Sequence, residues 1–200
     1  MPRTKEQNEA LRAATHKKIL VAATLLFSEK GFSGTGVQEI ADQAGISIGL
    51  LYRHFKTKDD IFGALATQAV QDLQTVGELL ESNHPPLDII NGFINEVLKD
   101  MSKNEDFARF MELLSRPFIS NQQYSWMEDM IKQNQLFEKQ LSNVIIRGQN
   151  FGIFRLDNPT ALAQFFLGNI QGMCSMQLSL KKDYVLPTHD MMINFLIKPD

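Results

Sequence analysis

The chain has 200 residues, 44% hydrophobic and 22% charged, with a formal net charge of -3. That supplies one well-filled core, or a small domain fused to a larger one, and it excludes disorder as the main state. A single cysteine, Cys174, excludes an intrachain disulfide, and the first twenty residues mix acids with bases and lack the apolar run of a signal peptide, so a reducing, cytoplasmic setting is expected.

The charge is unevenly shared. Residues 1–58 hold nine Lys/Arg against five Asp/Glu, a net +4, which leaves -7 for the remainder. A basic head on an acidic body suits a head that meets a polyanion, although a solvated surface accounts for the same split.

Helical periodicity dominates the chain, and alternation bounded by turn residues is scarce, so the expected fold is all-α. Ile19, Ala22, Ala23, Leu26 and Phe27 recur at three and four, which predicts an amphipathic helix stopped at Lys30-Gly31. Thr35-x-x-Gln38 fits a capping box for a second, short helix with the stripe Val37, Ile40, Ala41 and Ala44, ended by Gly45. Ser47 then caps a third helix with Ile48, Leu51 and Phe55 facing inward.

Helix, tight glycine turn, helix is the unit whose second member enters a DNA major groove. Gly49 removes a side chain where a helix must approach a surface closely, and Tyr52, Arg53, His54 and Lys56 supply hydrogen-bond donors where phosphates would lie. Thr57-x-x-Asp60 caps the next helix, whose N-terminus with Lys58 reads as a small anion site.

The stretch KKILVAATLLFSEKGFSGTGVQEIADQAGISIGLLYRHFKTKDDIFGAL, Lys17 to Leu65, resembles the DNA-binding region of the tetracycline-repressor (TetR) family of bacterial regulators. The resemblance implies a three-helix DNA-binding domain over 1–58, and over 59–200 a helical domain for ligand binding and dimerisation. It implies that Thr35 touches a phosphate, that Ser47, Ile48, Gly49 and Leu50 open the recognition helix, and that Tyr52, His54 and Lys58 contact the DNA backbone. Gly36 departs from the pattern, standing where members often carry a second threonine or serine, so a hydroxyl contact there is in doubt.

From Lys58 one long helix is expected to about Glu81, broken by SNHPP. Further helices are expected over Leu87 to Met101, Glu105 to Ser115, Gln122 to Gln149 and Thr160 to Lys181, and near His189 to Leu196. Eleven of the fourteen Phe, every Met except Met1 and the single Trp126 lie beyond Lys58. Soft and aromatic side chains either fill the core or line an adaptable apolar pocket. The pocket candidates are Phe107, Phe110, Met111, Trp126, Met130, Phe137, Phe165 and Asn169.

Asn158 to Leu180 carries no charge over a length that could span a bilayer, but Gln164, Asn169, Gln171 and Gln177 favour a helix buried in protein. Its small residues Ala161, Gly168, Gly172, Ser175 and Ser179 recur at helical spacing and allow close packing, either within the chain or against a second copy across a twofold axis, with Met191 to Ile197 alongside.

Catalytic and metal motifs fail on context. Gly45-Ile-Ser47-Ile-Gly49 matches G-x-S-x-G in letters, but a helix rather than a strand precedes it, so Ser47 reads as a cap. His54 stands beside Arg53 and Lys56, a setting for phosphate contact rather than general-base work. His16, His84 and His189 pair with no His or Cys at ligand spacing, and no phosphate loop or dinucleotide fingerprint occurs. No enzyme activity, cofactor or metal is expected. The expected function is a ligand-responsive regulator, most readily a repressor, that binds a near-palindromic operator in double-stranded DNA as a homodimer and is released by a small apolar effector. The alternative is a small-molecule sensor acting through protein partners without sequence-specific DNA binding.

Overall fold

The computed structural model describes residues 4–115 and 125–198. The fold is all-α. Among the described residues the helices are α1 (Lys5–Gly34), α2 (Val37–Gln43), α3 (Ile48–His54), α4 (Lys58–Leu80), α5 (Pro86–Lys103), α6 (Asp106–Ser115), α7 (Ser125–Asn150), α8 (Pro159–Leu180) and α9 (His189–Ile193), with a 3₁₀ turn at Lys181–Asp183. The expected start of the seventh helix, 122–124, lies outside the described residues. The chain divides into two compact units, Met1–Thr67 and Gln68–Asp200.

In the first unit α1 opens on a capping box: Gln7 N–H donates to Thr4 Oγ1 (3.2 Å) and Thr4 N–H to Gln7 Oε1 (3.1 Å). No described residue before Ile19 is buried; from there Ile19, Ala22, Ala23, Leu26 and Phe27 turn one face into the core, as their spacing predicts. The helical path breaks at Gly31, whose φ of 76° is a left-handed value that a side chain would disfavour. Phe27, Phe32 and Phe62 meet just there, with ring centroids 5.3 to 5.9 Å apart. Ile40, Leu51, Phe55 and Ile61 complete the core, so α2 and α3 are held by few but fully buried contacts.

The cap of α2 differs from its expectation by one residue. Gly36 is the N-cap, and its N–H donates to Glu39 Oε2 at 2.9 Å, while Glu39 Oε1 receives Lys30 Nζ at 2.7 Å. Those two donors hold the Glu39 carboxyl below the usual range. Thr35 does not cap: its side chain is 2% exposed and its hydroxyl donates to the carbonyls of Gly31 (2.8 Å) and Leu26 (3.2 Å).

In the second unit α8 packs on α6 and α7, and α5 on α7 and α9. Ile90, Ile94, Leu141, Val144, Ile145, Phe166 and Cys174 form the centre of that core. Arg147 on α7 donates to the carbonyls of Ser82 (2.8 Å) and His84 (2.6 Å), tying down the α4–α5 connection that SNHPP marks. Beyond α7, Gly152 turns the chain with φ 70°, and an antiparallel bridge pairs Phe154 with Ile197. Arg155 N–H to Leu196 O (2.8 Å) and Lys198 N–H to Ile153 O (3.0 Å) flank that bridge.

Cys174 is fully buried, and its burial, with the Glu112 charge as a lesser cause, pushes the thiol pKa up to about 11. The folded chain is therefore expected to resist a thiol-specific reagent at pH 8 and to react stoichiometrically once unfolded in denaturant. Rapid labelling of the folded form would contradict this packing.

Candidate functional site

The turn between α2 and α3 is built by Gly45, with φ 66°, and by Ser47, whose Oγ accepts the Leu50 N–H at 3.2 Å. Leu51, fully buried, and Phe55, 6% exposed, fasten the inner side of α3 to the first unit's core. Helical geometry then sends the remaining side chains outward. Ser47, Gly49, Tyr52, Arg53 and Lys56 are exposed, Tyr52 at 44%, and Ile48, Leu50 and His54 are half-buried. No atom approaches within 4 Å of where a Gly49 Cβ would sit, so its missing side chain leaves open space on the face beside Tyr52 and Arg53. Lys56 Nζ donates to Tyr52 O at 3.2 Å, closing the C-terminal end of α3 with a positive charge.

The side chains of two expected phosphate contacts are directed into the first unit itself. Thr35 is turned into the core, with its hydroxyl bonded to the Gly31 and Leu26 carbonyls. Lys58 reaches back across the first unit: Nζ donates to Phe32 O (2.6 Å) and Thr35 O (2.9 Å) and lies 4.5 Å from the Phe32 ring centroid. It neutralises the carbonyls past the Gly31 break rather than presenting charge to a ligand. The anion site expected at the start of α4 is also occupied from within. Asp60 Oδ2 accepts the N–H groups of Lys56 (3.0 Å) and Thr57 (2.9 Å), and Thr57 Oγ1 accepts the Asp60 N–H (3.0 Å), a reciprocal cap that leaves those amides no free direction.

What the sequence reading missed is on α1. His16 lies against the end of α3, its ring centroid 6.2 Å from that of His54 and 4.9 Å from that of Phe55. Burial, and then the electrostatic influence of His16 and Arg12, push His54 below the usual histidine range. The available signal was the spacing of Arg12 and His16, one helical turn apart and so on one face. Among the described residues no group of three His, Cys, Asp or Glu side chains is placed to hold a metal ion.

The pocket candidates separate into two sets within the second unit. Phe107, Phe110, Met111, Trp126 and Met130 are half-buried on α6 and α7. Phe137 is 4% exposed and packs edge-on to Phe93 at 5.9 Å. Phe165 and Asn169 do not join them: Phe165 is 57% exposed and Asn169 is exposed, because the inward face of α8 is taken by Leu162, Ala163, Phe166, Ile170 and Cys174. The outward face carries the small residues Ala161, Gly168, Gly172, Ser175 and Ser179, all exposed, beside Phe165, Met176 and Leu180. Among the described residues no helix is long and apolar enough to cross a membrane.

Residues 19–65 match the family model described as bacterial regulatory proteins, tetR family. The transcriptional repressor DhaR of Mycobacterium sp. (strain GP1) is 28% identical over 169 residues, covering 80% of this chain and 81% of that protein. The crystal structure of the MbdR regulator from Azoarcus sp. CIB aligns with a TM-score of 0.74 at 22% identity, covering 92% of this chain and 99% of that one. The transcriptional regulator FadR from Bacillus subtilis, crystallised in complex with stearoyl-CoA, aligns with a TM-score of 0.67 at 18% identity, covering 90% and 97%. The capped turn and the outward-facing α3 thus lie inside the segment, residues 19–65, that matches the tetR family of bacterial regulatory proteins.

Proposed function

We propose that this protein is a cytoplasmic transcriptional repressor that binds a near-palindromic operator as a homodimer and releases it when a small apolar effector binds the second unit. The observation that carries the reading is α3, a short helix locked from inside by Leu51 and Phe55 and presenting Tyr52, Arg53 and Lys56 to solvent. Tyr52, His54 and Lys56 serve the phosphate backbone, which fixes register but reads no sequence. Ile48 and Leu50 offer apolar surface to thymine methyl groups, and Arg53 has the fork geometry that reads guanine.

The exposed face of α8 supports dimerisation. A row of small side chains flanked by Phe165, Met176 and Leu180 lets two helices approach closely while burying apolar surface that a monomer leaves in water. The half-buried Phe107, Phe110, Met111, Trp126 and Met130 supply soft apolar walls for an effector, and the acyl thioester bound by the FadR structure is one example of an amphiphile accommodated by a similar fold. Release of DNA requires that the effector bind the DNA-incompetent arrangement more tightly than the competent one.

Selection of the purified chain against random duplex DNA at near-physiological salt tests the proposal. The expected product is a near-palindrome whose half-sites lie about one helical turn or somewhat more apart. Recovery of no motif, with only weak salt-sensitive binding, would instead favour a sensor that acts through protein partners.

A further inference from the structure

Two imidazoles meet at the junction of α1 and α3, and Arg12 stands one helical turn before one of them. Arg12 and His16 share one face of α1, and the imidazole of His54 stands at the C-terminal end of α3, 6.2 Å from that of His16. Phe55 fixes the arrangement. It is a core residue, 6% exposed, and its ring lies 4.9 Å from His16 and 6.5 Å from His54, so the two imidazoles are held rather than free to part.

Among the described residues neither Arg12, His16 nor His54 makes an ion pair. Glu9 on α1 faces Lys5 at 4.0 Å, and Asp60 at the start of α4 is spent on the amides of Lys56 and Thr57. Arg53 and Lys56 flank His54 on its own side, and Lys17 and Lys18 follow His16. Like charges held together cost free energy that an anion between them recovers.

We propose that Arg12 and His16 from α1 join His54 in one phosphate-binding site that grips the backbone of duplex DNA beside the recognition helix. The site rests on the reading of the first unit as a DNA-binding head, and it extends the contact surface from α3 to the part of α1 that precedes the buried core. A phosphate there favours the imidazolium form of His54, which burial and the neighbouring His16 and Arg12 disfavour in the free protein. Binding is therefore coupled to proton uptake, and affinity rises as pH falls.

The test compares the full chain with its Arg12→Gln, His16→Gln, His54→Gln and Lys5→Gln variants, titrated against a mixed-sequence duplex and against the selected operator. Arg12→Gln is expected to weaken both duplexes by the same factor, about five- to tenfold near physiological salt, and to make the slope of log K against log salt shallower by about one. His16→Gln is expected to weaken both about two- to fivefold, whereas Lys5→Gln changes neither more than about twofold, since a lysine outside the cluster contributes only diffuse charge. The unsubstituted chain tightens between pH 8 and pH 6, and His54→Gln loses that dependence. If no duplex is bound by the unsubstituted chain, the DNA-binding reading itself falls and the site with it. Retained binding overturns the site alone if the Arg12→Gln slope is unchanged, if the losses are sequence-selective, if Lys5→Gln matches Arg12→Gln, or if the pH dependence survives His54→Gln.

Discussion

Gly148→Ala is expected to destabilise the second unit by about 1–3 kcal/mol, the range for forcing extra volume into a packed core, although the change adds only a methyl group. A Cβ at Gly148 would overlap Cδ2 and Cε2 of the Phe154 ring and lie 2.7 Å from its Cγ. Phe154 has no exposed surface and cannot yield outward, because its backbone is held by the bridge to Ile197 and by the flanking hydrogen bonds to Leu196 and Lys198. Removing the ring instead, as Phe154→Ala, leaves a cavity in the same core and is expected to cost about 3–5 kcal/mol. The informative variant carries both changes. With the ring gone the new methyl group enters the vacated space, so the double variant should be more stable than the sum of the single losses predicts, and the cycle should show a favourable coupling. Urea unfolding at fixed protein concentration measures all four chains, the concentration being held because association contributes to apparent stability. Strict additivity would mean that Gly148 and Phe154 do not share this contact.

The helices were legible in the sequence because few residues decide them. Gly31 and Gly45 sit where φ turns positive, Ser47 caps where a hydroxyl precedes the apolar stripe, and SNHPP breaks α4 from α5. Direction within a helix was less legible. Phe165 and Phe166 are adjacent and both apolar, so periodicity alone does not say which enters the core; α8 buries Phe166 because it shares a face with Leu162, Ala163, Ile170 and Cys174, and that leaves Phe165 outside. A hydroxyl at Thr35 serves a phosphate or a carbonyl equally well, and only the position of the Gly31 and Leu26 carbonyls decides the matter. The pairing of Phe154 with Ile197 and the meeting of His16 with His54 join segments far apart in the chain, and no local pattern announces either.

Lys58 is the residue at which the two kinds of reading part, and its substitution separates them. A lysine bound to DNA phosphate, once replaced by alanine, takes about one unit from the salt slope and leaves folding unaffected. The intrachain contacts of Lys58 lead to the opposite expectation. Lys58 Nζ closes the end of α1 by donating to Phe32 O and Thr35 O, and it stacks over the Phe32 ring that packs on Phe27 and Phe62. Lys58→Ala leaves both carbonyls without this donor, and charge-assisted bonds of that kind contribute roughly 1.5–3 kcal/mol. The first unit should therefore lose about 2–3 kcal/mol of stability, read as faster hydrogen exchange at the buried amides of α2 and α3. DNA affinity should fall only through the smaller folded fraction, with the salt slope of the folded protein preserved. Lys58→Arg keeps the charge but replaces a compact ammonium by a planar fork, so it should restore part of the stability and not all of it. Unchanged exchange together with a slope reduced by about one would return Lys58 to the DNA backbone and remove it from the fold.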